Sequence, residues 1–91
     1  MKRFLIERTY PRGLVIPLTD EGRRDCNSIL AVNAELGVTW LHSYVTPDSR
    51  KSFCIYEGPS VEAVRAAAER NGLPMDRLTE VRVLDPHFYL S

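Results

Sequence analysis

Three side chains in this chain carry donor atoms from which a metal site can be built: Glu7, His42 and Cys54. His42 stands in Thr39-Trp40-Leu41-His42-Ser43-Tyr44-Val45 and Cys54 in Ser52-Phe53-Cys54-Ile55-Tyr56-Glu57, both rich in the β-branched and aromatic residues that favour strands. If the two stretches pair as a hairpin with His42 opposite Cys54, their Cβ atoms come to about 5 Å, which is chelating distance. Glu7, on a flanking strand, points the same way. Imidazole, thiolate and carboxylate together suit nickel, zinc, copper or iron better than magnesium or calcium, without choosing among the first four. The same residues also have an ordinary structural use, and on spacing alone it is the commoner one. A lone cysteine is usually a small core hydrophobe, and a histidine beside a tyrosine is usually a hydrogen-bonded interface residue.

A second chemistry uses His42 as a general base in an aromatic pocket lined by Trp40 and Tyr56, giving a cofactor-independent dimeric α/β-barrel enzyme of isomerase or monooxygenase type. A third reading is a structural or ligand-sensing dimer whose polar residues pair across an interface. The sequence has no glycine-rich phosphate loop, no paired-cysteine zinc cluster and no Gly-x-Ser-x-Gly elbow. Cys26 falls on a helical stripe and reads as core. His87 follows Asp85-Pro86 and reads as a surface residue.

These side chains need elements to position them. Phe4 to Arg8 reads as a strand stopped by Pro11 and Gly13. After Pro17, Thr19 offers a cap, Asp20 and Glu21 suit the positive end of a helix dipole, and Cys26, Ile29, Leu30, Asn33 and Leu36 form one stripe before Gly37. Val38–Val45 and Ser52–Glu57 form a hairpin across Thr46-Pro47-Asp48-Ser49-Arg50. Ser60 caps a second helix with Val61, Val64 and Ala67 or Ala68 inward, closed by Asn71-Gly72, and Leu78–Leu84 is the last strand.

Strand, helix, strand, strand, helix, strand is the ferredoxin-like βαββαβ order of an α+β domain. Two helices then cover one face of a four-stranded antiparallel sheet, with the first and third strands central. The other face is bare. Alternation assigns Phe4, Ile6, Leu41, Val45, Phe53, Ile55, Val81 and Val83 to the core, and Leu5, Glu7, Trp40, His42, Tyr44, Ser52, Cys54, Tyr56, Glu80, Arg82 and Leu84 to the bare face. Aromatics gathered there predict a homodimer packed sheet to sheet.

At 91 residues, with 44% apolar and 26% charged, the chain is the size and composition of a single globular domain spanning 1–91. Twelve basic residues balance twelve acidic ones, so no global field favours nucleic acid or an anionic membrane as partner. The apolar run after Met1 is too short for an export signal or a spanning helix. Two cysteines without a close pairing motif predict reduced thiols and a cytoplasmic setting.

The stretches Phe4-Leu5-Ile6-Glu7-Arg8-Thr9, Gly37 to Val45, Lys51 to Tyr56, Arg70-Asn71-Gly72-Leu73-Pro74 and Glu80 to Pro86 resemble the small bacterial nickel-binding proteins of ferredoxin-like fold, many of them first named as domains of unknown function. The likeness spans nearly the whole chain. It implies a cytoplasmic homodimer that binds nickel for sequestration or homeostasis, without established catalysis. It also places Glu7, His42 and Cys54 inside matching segments as metal ligands, with Tyr44, Tyr56 and Glu80 as orienting partners or alternatives.

Overall fold

Two hydroxyls start the two helices. The Thr19 side chain accepts from the Gly22 N–H at 3.4 Å, and Ser60 Oγ accepts from the Ala63 N–H at 3.2 Å. The computed structural model describes residues 1–14 and 19–89; Pro17 lies outside the described residues. In chain order the elements are β1 (Lys2–Thr9), α1 (Asp20–Glu35), β2 (Thr39–Val45), β3 (Lys51–Gly58), α2 (Val61–Arg70), β4 (Arg77–Val81) and a 3₁₀ turn over Pro86–Tyr89.

The strands form one antiparallel sheet in the order β2-β3-β1-β4, so the first and third are central, as the ferredoxin-like reading requires. The β2–β3 turn closes through Thr46, whose N–H donates to the Lys51 carbonyl at 2.9 Å. The Thr46 hydroxyl and the Arg50 N–H both donate to Asp48 Oδ1, and these bonds hold the Asp48 carboxyl below its ordinary value.

Register decides which side chains meet the helices, and here the strand parities part from expectation. Phe4 opposes Tyr56, Ile6 opposes Cys54 and Arg8 opposes Ser52. All six are buried, so β3 packs Ser52, Cys54, Tyr56 and Gly58 under the helices, while Phe53 and Ile55 face the bare side. Leu78 pairs with Ile6 on the covered side, and Thr79 and Val81 fall on the bare one. Glu80, opposite Phe4, is therefore on the covered side, where its carboxylate lies 3.8 Å from Lys2 Nζ. Val83 and Leu84 lie beyond the end of β4 and are exposed.

The cause is a near-tie. Both parities of Ser52–Tyr56 are apolar, and alternation alone cannot rank Phe53 and Ile55 against Cys54 and Tyr56. Size breaks the tie, because Ser52, Cys54 and Gly58 are small and let the helices approach. A Cβ on Gly58 would stand 3.0 Å from Val64 Cγ2 and 3.4 Å from Val38 Cγ2.

In β2 the register shifts between Trp40 and His42, with Leu41 as the extra residue of a bulge. Trp40 opposes Tyr56 on the covered side, whereas His42 and Tyr44 oppose Ile55 and Phe53 on the bare side. The core comprises Phe4, Ile6, Val38, Cys54, Tyr56, Val64, Ala67 and Ala68, with Leu36, Trp40, Met75 and Leu78 packed against it.

Asn33, polar on an otherwise apolar stripe, is with Gly22 one of the two buried residues of α1. Its carbonyl accepts from the N–H groups of Leu36 and Val38, and its Oδ1 accepts from Asn71 Nδ2 at 3.1 Å. One residue thereby joins the end of α1 to the start of β2 and the end of α2. Glu35 and Arg70, paired at 3.2 Å, tie the same helix ends at the surface. Cys26 is half-buried on α1 and Leu30 is exposed.

Candidate metal site on the open sheet face

His42 sits on edge strand β2 with its ring exposed and makes an edge-to-face contact with Tyr44, centroids 5.2 Å apart at 82°. Glu7 projects from central strand β1 on the same face, half-buried, with Lys51 Nζ 3.8 Å from its carboxylate. Strand β3 separates the two: Glu7 pairs with Phe53 and His42 with Ile55. Two strand spacings amount to about 10 Å, so one copy of the chain does not bring Glu7 and His42 onto a single ion.

Cys54 corrects the expected ligand set. Its in-register neighbours are Ile6 and Ser43, and its side chain is buried under the helices with Sγ 3.5 Å from Ser52 Oγ. The sheet itself lies between Cys54 and His42. Tyr56 and Glu80, named as orienting partners, also leave the open face, and Tyr44 remains on it. Trp40 and Tyr56 face the helices, so the aromatic pocket expected around His42 for base catalysis is not assembled. Among the described residues, no group of three His, Cys, Asp or Glu side chains converges.

What the open face does offer is an apolar floor with polar groups at its borders. Leu5, Phe53 and Ile55 lie half-buried at its centre, Tyr44 is 64% exposed, and Lys51 Nζ stands 5.4 Å from the Phe53 ring centroid. His87, at the 3₁₀ turn, is exposed.

Compared with known proteins, residues 4–81 match the family described as nickel responsive protein SCO4226-like. The chain belongs to that family. Its fold is shared with the crystal structure of SCO4226 from Streptomyces coelicolor A3(2), at a TM-score of 0.73 and 28% identity over 91% of this chain and 99% of that one. No curated protein matches. The sequence did not reveal that Arg8 is buried, and the residues of β3 that alternation put on the wrong face are Ser52, Cys54 and Tyr56 of the covered side. The signal that could have placed them is the run of small residues Ser52, Cys54 and Gly58 at alternate positions of β3. Among the described residues, no helix is long and apolar enough to cross a membrane.

Proposed function

We propose that this chain is a nickel-binding protein of intracellular metal sequestration or homeostasis, and that it holds the ion between the helix-free sheet faces of a homodimer. The observation that carries this reading is His42, an exposed imidazole on that face in a chain of a nickel responsive family. Imidazole and carboxylate are suitable nickel donors, and one chain supplies too few at one place. A two-fold axis supplies each twice, so two His42 side chains, or one His42 with Glu7 of the partner copy, form a shell that water completes. The apolar floor of Leu5, Phe53 and Ile55 supports the same pairing, since it gives two small domains shared area to bury. Cys54 has no part in this site.

Titration calorimetry with nickel, run beside sedimentation of the same samples, tests the reading. Binding heat with a rise in dimer fraction is expected for the wild type and for Cys54→Ala, and neither for His42→Ala. Absence of heat, or binding unchanged in His42→Ala, would overturn it. A near-ultraviolet thiolate-to-nickel band would likewise contradict the assignment of Cys54.

A further inference from the structure

Arg8 is 1% exposed, the largest of the fully buried side chains. It makes no ion pair with any described carboxylate. Its Nε donates to the Pro74 carbonyl at 2.9 Å, and its guanidinium carbon stands 5.6 Å from the Tyr56 ring centroid. Its Nη2 is buried with no hydrogen-bond partner among the described residues. A buried cation without a counterion is costly, because a carbonyl and a ring face replace only part of its hydration. Burial works against the Arg8 charge, but Tyr56, Cys54 and Tyr10 around it outweigh that and raise its pKa, so the cation persists at all ordinary pH.

Arg8 lines a chamber of about 110 Å³ on the covered side of the sheet. Its apolar walls include Leu14, Ile29, Trp40 and Leu73, and none of the described lining residues is acidic. Two pairs of the other polar ends are already engaged: Trp40 Nε1 donates to Ser43 Oγ at 2.8 Å, and Ser52 Oγ contacts Cys54 Sγ. The volume holds about three or four waters at their liquid share of ~30 Å³ each, or one short organic anion. Water would satisfy a lone N–H but would leave the charge unneutralised against apolar walls.

We propose that this chamber is a binding site for a small monocarboxylate, its carboxylate on Arg8 Nη2 and its short hydrocarbon tail against Leu14, Ile29 and Leu73. A guanidinium N–H to carboxylate bond is charge-assisted and gains strength away from water. One cation matches one negative charge. A dianion such as phosphate would bring a second charge into a chamber whose walls are mainly hydrocarbon. The site is on the opposite side of the sheet from His42 and is independent of the nickel reading.

Trp40 lines the chamber and is the chain's single tryptophan, so its fluorescence reports occupancy. Metal-free protein is titrated with sodium butyrate, and in parallel with sodium chloride, sodium phosphate and 1-butanol. A saturable response to butyrate alone is expected, together with a rise in Tm. Arg8→Gln removes the charge. Because that variant also loses a buried bond, Ile29→Phe serves as the second test: it fills the chamber, leaves Arg8 in place and weakens butyrate by about tenfold or more. No saturable response in the wild type, an equal response to chloride, phosphate or butanol, or full affinity in Ile29→Phe would overturn the proposal.

Discussion

The guanidinium of Arg8 lies over the ring of Tyr56, its carbon 5.6 Å from the centroid, on the side of the sheet that the helices cover. Burial raises the Tyr56 pKa, and the neighbouring Arg8 charge offsets only part of that rise. Unfolded chains ionise tyrosine at about pH 10, whereas the folded chain keeps Tyr56 neutral beyond that point. The resulting stabilisation is complete below about pH 10 and is lost as pH rises through the folded value. Thermal unfolding followed across this alkaline range should show a falling Tm, with a shallower fall in Tyr56→Phe.

Gly58 lies on the covered side of β3, against Val64 of α2. Gly58→Ala places a methyl group 3.0 Å from Val64 Cγ2 and 3.4 Å from Val38 Cγ2, both side chains buried in the core. The expected cost is about 1–3 kcal/mol by urea unfolding, against the usual gain from replacing a flexible glycine.

Metal binding and stability should separate between Cys54 and His42. Cys54→Ala removes a buried sulfur from between Ile6 and Ser43 and should cost about 1 kcal/mol while leaving nickel affinity unchanged. His42→Ala removes an exposed ring and should leave the urea midpoint of metal-free protein within about 0.5 kcal/mol of wild type while abolishing nickel binding. Paired denaturation and calorimetry on the two variants check both halves.

Ile55 lies at the centre of the open face. Ile55→Glu introduces a like-charge pair near the axis of a sheet-to-sheet dimer and should shift sedimentation to the monomer, with a circular dichroism spectrum matching wild type. Unchanged association would place the dimer contact elsewhere or remove it.

Element order and helix caps could be read directly, because Thr19, Ser60, Gly37 and the Asn71-Gly72 pair act through local chemistry. Sheet order followed from handedness rules. The candidate site was legible only in part: His42 and Glu7 stand on the open face as expected, and Cys54 does not. Its face depends on pairing Ile6 with Cys54, a contact between residues far apart in sequence. That Arg8 is buried without a counterion was hidden for the same reason, since its surroundings come from β3, the Pro74 carbonyl and the Tyr56 ring.

The extra residue in β2 acts on side chains as a one-letter insertion acts on a reading frame. Before Leu41 the strand is read inward, and Trp40 joins the wall around Arg8; after it the strand is read outward, and His42 and Tyr44 reach the open face. An unbroken frame would put Trp40 and His42 on one side. Deleting Leu41 would therefore leave both rings where they are, as successive residues on opposite faces, whereas flattening the bulge with Leu41 kept would strip the indole from its chamber or turn the imidazole in beside it.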